Sequence, residues 1–288
     1  MKMVVFADLH IYHPFSLASV SDKSVDYWYY QGAEQYVKEV VTKEQPDTIV
    51  FLGDVHHYNF GSCEKYMYFK RLVDILRLEY KCDVVVVVGN HDTSGSYNLS
   101  RAHVIQYVPK ANYITSPQLH TFGDSKFVFL PFTERQKILS VLLQFQTDGK
   151  VYILSHNNIY LSDTFYTTPM VEYKRVLSIL PNATLVNGHI HRFYAEKNYY
   201  QLGSVNPTSY KEYLNAVGCC VISGEEVRLY KNTHLFLVSI NNKAYVRQAE
   251  AFLAQADEHD SIVFLRVPAS LTYLSKRHQC VKAVEIME

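Results

Sequence analysis

The sequence predicts an α/β fold built on a parallel sheet covered on both faces. Three observations carry that reading. Aliphatic runs alternate with amphipathic helical stretches, the runs are apolar at consecutive positions, and polar residues gather just past the runs' carboxyl ends. Residues 3–7 form the first run, which ends at Asp8. Ala33, Tyr36, Val37, Val40 and Val41 follow the i, i+3, i+4, i+7, i+8 spacing of one helix face. Thr48–Leu52 is a second strand closed by Gly53-Asp54, and Phe69, Leu72, Val73 and Leu76 mark a second helix. Residues 83–88 are a third strand, ending in Gly89-Asn90-His91-Asp92.

The pattern continues with a strand at 127–130 and a helix face at Ile138, Val141, Leu142 and Phe145. Strands at 151–154 and 184–186 end at Ser155-His156 and Gly188-His189. From 192 to 239 short strands separated by Asn198, Gly203, Asn206-Pro207 and Gly224 predict a more antiparallel second sheet. The tail predicts a helix over 243–256 and strands over 261–267 and 283–286. Asn241-Asn242 is the expected boundary, giving a main domain of residues 1–240 and a small α+β appendage of residues 241–288.

Composition narrows the function classes. With 288 residues, roughly three-quarters of the chain's surface can be buried, so a core needs neither disulfide nor structural metal. Hydrophobic residues make up 48% and charged residues 19%, which excludes a disordered chain. Lys+Arg 28 balances Asp+Glu 28, so no global field draws in nucleic acid or an anionic membrane. DNA binding would need a local basic groove. The run Val84 to Val88 is far too short to span a bilayer, and the N-terminus turns polar too soon for a signal peptide. Cys63, Cys82, Cys219, Cys220 and Cys280 form no CxxC pair and read as reduced, buried thiols of a cytoplasmic protein.

Chemistry is concentrated at the strand ends. Asp8 and His10, Asp54, Asn90 and His91, His156, then His189 and His191 reach one rim from five segments. The carboxyl ends of strands form the ligand crevice of α/β sheets. Oxygen and nitrogen donors without thiolates suit manganese, iron or zinc. Eight such residues exceed the ligand set of a mononuclear site, so a pair of metals is the natural reading.

Asp8-Leu9-His10, Gly53-Asp54, Gly89-Asn90-His91-Asp92, His156 and Gly188-His189-Ile190-His191 resemble the five signature blocks of the calcineurin-like metallophosphoesterases, in their usual order. The resemblance implies a layered α/β/β/α sandwich with a dimetal site. Asp8, His10 and His191 would hold one metal, Asn90, His156 and His189 the other, and Asp54 would bridge them. A metal-bridged hydroxide would attack phosphorus, with both cations neutralising the phosphoryl oxygens. His91 would protonate the leaving group, oriented by Asp92. Two divalent ions are expected, manganese first, with magnesium, iron(II) or zinc as the alternatives.

The run Val55-His56-His57-Tyr58-Asn59-Phe60 lacks the arginine with which protein phosphatases grip a monoester. The helix between the first two blocks, the long stretch after Asp92 and Tyr200-Gln201-Leu202-Gly203-Ser204 resemble instead the SbcD-type DNA exonucleases, the T-even phage recombination endonuclease subunit among them. The tail resembles their small capping domain. That branch implies a nuclease of recombination, repair or replication, with DNA as substrate, a homodimer, and an SbcC-type coiled-coil ATPase as partner. Those nucleases continue into ATPase-binding helices, whereas this sequence ends at Glu288. The tyrosine-rich composition suits a viral homologue.

Plainer readings stand beside these. A phosphodiesterase or phosphatase on a small nucleotide would use the same chemistry, and a noncatalytic scaffold the same fold without metals. His13 and His57 are candidate substrate contacts, each set against a loop histidine facing solvent. Tyr27-Trp28-Tyr29-Tyr30 could stack on unpaired bases, but burial at a helix start is the favoured reading. Lys65, Lys70 and Arg71 read as a solvated face.

Overall fold

A computed structural model of the protein describes residues 1–11, 18–20, 23–56, 63–92, 108–160, 170–206, 208, 218–232, 234–240, 245–259 and 261–287. In chain order, β1 (Lys2–Ala7), β2 (Ala18–Ser19), α1 (Val25–Glu44), β3 (Thr48–Leu52), α2 (Cys63–Leu78), β4 (Asp83–Val87) and β5 (Asn112–Ile114) come first. They are followed by β6 (Gln118–Phe122), β7 (Ser125–Leu130), α3 (Arg135–Leu142), β8 (Val151–Ser155), β9 (Ile159–Tyr160), β10 (Val171–Glu172), α4 (Tyr173–Ile179) and β11 (Ala183–Asn187). The remainder comprises β12 (Tyr194–Glu196), β13 (Tyr199–Gln201), β14 (Cys219–Ser223), β15 (Glu226–Tyr230), β16 (Leu235–Ser239), α5 (Val246–Glu258), β17 (Ile262–Pro268), α6 (Leu274–Arg277) and β18 (Val281–Met287).

Two six-stranded sheets face each other, in the orders β15-β14-β1-β3-β4-β5 and β12-β13-β11-β8-β7-β6. Their central pairs, β1/β3, β3/β4, β7/β8 and β8/β11, are parallel. Side chains alternate across each strand. Met3, Val5 and Ala7 of β1 therefore enter the layer between the sheets, with Phe127, Phe129, Tyr152 and Leu154 opposite. Val4 and Phe6 turn outward onto Val37, Val40 and Val41 of α1. The second sheet repeats the arrangement, Val128, Ile153 and Leu185 packing on Ile138 of α3 and Val176 of α4. Helices on both outer faces explain why the strands are apolar at consecutive positions, and the result is the expected α/β/β/α sandwich.

The helices end where local chemistry dictates. Ser24 caps α1 by accepting a hydrogen bond from the Tyr27 N–H, and Gln45 closes it in a left-handed conformation. Tyr29 and Tyr30 of the aromatic run are buried, Tyr29 stacking on Phe264 at 5.8 Å between ring centroids and Trp28 lying beneath the Lys282 ammonium. The burial reading of that run holds for Tyr29 and Tyr30, while Tyr27 and Trp28 are half-buried. Cys82, Cys219, Cys220 and Cys280 are buried and free.

The expected antiparallel pairing over 192–239 is present, but its strands are divided between sheets instead of forming a second one. β12 and β13 extend the second sheet beside β11, while the β14–β15 hairpin returns to the first sheet and pairs antiparallel with β1. The reason is legible in β14, whose Cys219, Cys220, Val221 and Ile222 are all buried, as a strand covered on both faces must be. A third sheet, β16-β17-β18-β2, packs on α5 around Leu253, Val263, Leu265 and Leu274. Its β16 lies before Asn241-Asn242, and its β2 comes from the N-terminal segment, so strand pairing crosses the expected division at two places. Among the described residues no helix is long and apolar enough to cross a membrane.

Candidate metal centre

The rim is assembled from the carboxyl ends of both facing sheets. Asp8 and His10 follow β1, Asp54 follows β3 and Asn90 to Asp92 follow β4; His156 follows β8, and His189 and His191 follow β11. Leaving a strand and turning at once into a shared crevice demands unusual backbone. Asp8, His10, Asp54 and His189 have φ of 51°, 42°, 48° and 69°, the left-handed region that non-glycine residues rarely occupy. They are half of the described non-glycine residues with positive φ. Strain at about 1–3 kcal/mol per residue persists only where surroundings over-determine it. Here the His10 and Ile11 N–H groups donate to the carbonyls of Asp54 and Val55, lacing the first two loops together.

Two groups of potential ligands result, Asp8 with His10 and His191, and Asp54 with His156 and His189, each with its donor atoms within 4.8 Å of one another. The groups are adjacent. A Cβ placed on Gly188 would lie 2.8 Å from Asp8 Oδ2 and 3.1 Å from His156 Nδ1, atoms of opposite groups. In the first group His10 Nε2 and His191 Nε2 approach to 2.9 Å, while His191 Nδ1 pairs with the Thr208 hydroxyl. Asp8 Oδ2 accepts the His189 N–H, and Asp8 Oδ1, 3.3 Å from His191 Nε2, is buried without a hydrogen bond.

In the second group His156 Nδ1 donates to the Leu52 carbonyl at 2.8 Å, which turns Nε2 toward Asn90 Oδ1 and Asp54 Oδ2, each 3.2 Å away. His189 Nε2 donates to Asn158 Oδ1, and its Nδ1 is buried without a hydrogen-bond partner. Asn90 therefore joins the second group. Buried acceptors without partners are costly unless something else satisfies them. Nitrogen and oxygen donors converging in this way fit a pair of divalent cations.

The electrostatics favour positive charge at this rim. Burial pushes the Asp54 carboxyl up, but His156, His10 and His91 hold it well below the usual carboxylate range. Burial works against a charged His156, yet the carboxylates of Asp54 and Asp8 raise it to about 9. His189 is pushed down to about 3 by burial and by the charge of His156.

His91 differs from the histidines buried beside it. Its side chain is 34% exposed, whereas those of His10 and His156 are fully buried, and its Nε2 stands 4.0 Å from Asp54 Oδ2. Its backbone N–H donates to Asp54 Oδ1. Beside the expected role of orienting the His91 ring, Asp92 has a use in the backbone. Its Oδ1 accepts the N–H groups of Val55 and His56, and its Oδ2 accepts that of Gly89. The buried carboxylate pins the Asp54 loop to the Asn90 loop because those turns have no strand ladder to satisfy their amides. Burial and the charge of Asp54 push it up to about 7.

His13 and His57 lie outside the described residues. Lys70 and Arg71 are drawn to Asp74 and Glu34, in keeping with a solvated face. Sequence reasoning missed Asn157, Asn158, Asn187 and Thr208, which hold the ligand loops. The available signal was polar residues inside or directly after otherwise apolar strands.

Fold and rim together define a metallohydrolase of the two-sheet sandwich type. The family model for calcineurin-like phosphoesterases matches residues 1–212, and the chain belongs to that family, whose members use a dinuclear metal site. A 100-residue segment is 29% identical to the SbcD component of the SbcCD nuclease from Staphylococcus saprophyticus, covering 33% of this chain and 26% of that protein. A 55-residue segment is 34% identical to the same component from Staphylococcus epidermidis, covering 19% of this chain and 15% of that one. The matched segments thus span about a quarter or less of those relatives. Among solved structures, a dimetal phosphatase from Danio rerio aligns over 80% of this chain and 93% of its own at 16% identity and a TM-score of 0.41.

Proposed function

We propose that this protein is a two-metal phosphodiesterase that cleaves DNA. The observation that carries the reading is the pair of His/Asp groups brought to one rim by the carboxyl ends of two facing sheets. The similarity of two segments to a nuclease component, and the lack of a phosphate-gripping arginine in the run after Asp54, favour a diester in DNA. Asp8, His10 and His191 hold one cation, and Asn90, His156 and His189 hold the other. Asp54 serves both, since a carboxylate has oxygens enough for two. Donors of nitrogen and oxygen alone suit manganese, iron(II) or zinc, and manganese is the ion proposed first.

When bound, two divalent cations polarise the phosphoryl group and lower the pKa of a water nearby. The chain's own residues do the rest. Asp54, held ionised, fixes the His91 backbone through its Oδ1. His91, at the exposed lip, donates a proton to the leaving alkoxide. Asp92 keeps the loops that carry Asp54 and Asn90 in register. From the similarity of those segments we further propose His13 and His57 as candidate substrate contacts, an SbcC-type ATPase as a partner and a homodimer as the assembly.

The test is manganese-dependent degradation of end-labelled linear DNA, single- and double-stranded, with Asp54→Asn in parallel. Wild-type cleavage and none by the variant is the expected result. If both DNAs survive while a simple phosphodiester is hydrolysed, the nuclease reading falls and a nucleotide-sized substrate replaces it. A protein that binds no metal would be a scaffold.

A further inference from the structure

We propose that Gln201 is the positioning residue that sets the His189–His191 loop for cation binding; this rests on the reading that these two histidines are ligands. The chain leaves β11 at Asn187, turns through Gly188 and passes His189 in a left-handed conformation. At that turn the Asn187 carbonyl keeps a bond from the Leu202 N–H and the Gly188 carbonyl one from the Ile190 N–H. Gln201, the register partner of Asn187 on β13, is 2% exposed and sets its amide nitrogen against three carbonyls of the turn. Its two Nε2 hydrogens serve the carbonyls of Asn187 at 3.0 Å, Gly188 at 2.9 Å and Ile190 at 2.9 Å, so one of them is shared. The Gly188 carbonyl belongs to the peptide that enters His189 and the Ile190 carbonyl to the peptide that enters His191, so one amide holds the approach to each histidine.

The orientation of that amide is itself determined. Gln201 Oε1 accepts from Asn187 Nδ2 at 2.9 Å and from the Tyr199 hydroxyl at 2.8 Å, which leaves Nε2 facing the loop. Asn187 extends the lattice to the neighbouring loop. Its Nδ2 donates to the Asn157 carbonyl and its Oδ1 accepts the Asn157 N–H. The loops that carry His156, His189 and His191 therefore form one unit, centred on a glutamine that touches none of their rings through any of these bonds. A side chain of this size serving packing alone would be apolar here, between Tyr200 and the fully buried Leu202.

The test is a calorimetric titration of manganese into the full chain stripped of metal by chelation. Wild type is compared with Gln201→Glu, which puts an acceptor against three carbonyls, and Gln201→Asn, which keeps the amide one methylene short. Each folded Gln201 variant is expected to bind manganese about 10–100-fold more weakly, the usual effect of losing a partner that orients a ligand. Leu253→Ala, in the core of the C-terminal unit, controls for general destabilisation. It should lower the melting temperature and leave manganese affinity unchanged. Wild-type affinity in a folded Gln201 variant, or equal weakening by Leu253→Ala, overturns the proposal and leaves the dinuclear reading standing. No manganese bound by wild type overturns both.

Discussion

Replacing Gly53 by alanine probes the rim through a single methyl group. A Cβ at this position would lie 2.0 Å from His156 Nδ1 and 2.2 Å from its Cγ. Ordinary contact begins near about 3.5 Å, so the ring must retreat by roughly 1.5 Å. That motion breaks the 2.8 Å hydrogen bond from Nδ1 to the Leu52 carbonyl and swings Nε2 away from Asn90 and Asp54. Leaving the buried pair unmade costs about 1–3 kcal/mol. Gly53 also has φ 77°, where a side chain adds about 1–2 kcal/mol of backbone strain. The expected loss is about 2–5 kcal/mol in urea denaturation with chelator present, together with weaker manganese binding. Gly224→Ala separates the two causes. Its φ is 60°, but nothing lies within 4 Å of the added methyl, so only the strain applies and metal binding should be untouched. If Gly53→Ala loses no more stability than Gly224→Ala and keeps its manganese affinity, the packing of His156 behind the second cation is refuted.

Four further outcomes follow from the same geometry. Asp54→Asn should abolish hydrolysis and lower metal content measured by elemental analysis, since the shared carboxylate weakens both sites. His91→Ala should keep both cations but slow turnover about 100-fold or more, as expected for a lost proton donor; an emptied site would make His91 a ligand instead. Asp92→Ala should destabilise the fold by about 3 kcal/mol or more in urea, because three backbone N–H groups lose their acceptor; unchanged stability with slow turnover would favour the role of orienting His91. Burial raises the Glu44 carboxyl, but hydrogen bonds from Tyr230 and Lys2 and the charge of Arg228 outweigh it and hold the group below its ordinary value of 4.5. Its stabilisation is full above that value and lost as pH falls through the folded pKa, so the melting temperatures of wild type and Glu44→Gln should converge below about pH 4.5.

Much of the site was legible because its chemistry sits at strand ends. A strand covered on both faces announces itself by consecutive aliphatic residues, and the first polar residue beyond it marks the crevice. Thr48–Leu52 followed by Gly53-Asp54 is the clearest case, matching the observed β3 to the residue. What escaped was pairing order. Nothing local in residues 219–230 says that their hairpin returns to β1 rather than beginning a sheet of its own, although burial on both faces of β14 hinted at an internal place. β16 was likewise drawn into the third sheet by a parallel pairing with β17 that no nearby residue encodes. The backbone bonds of Asp92 escaped for a related reason. A carboxylate beside a histidine suggests a pair, but only the fold reveals that three unladdered amides surround it. Asn187 and Gln201 were hidden because one amide in a strand is indistinguishable from an edge residue until its register partner is known.

The central claim is that this rim holds two cations. Crystals of the full chain grown with manganese, with diffraction recorded on both sides of the manganese absorption edge, test it most directly. The account predicts two anomalous peaks, one among Asp8, His10 and His191 and one among Asn90, His156 and His189, with Asp54 reaching both. A single peak, or peaks away from these residues, would contradict it.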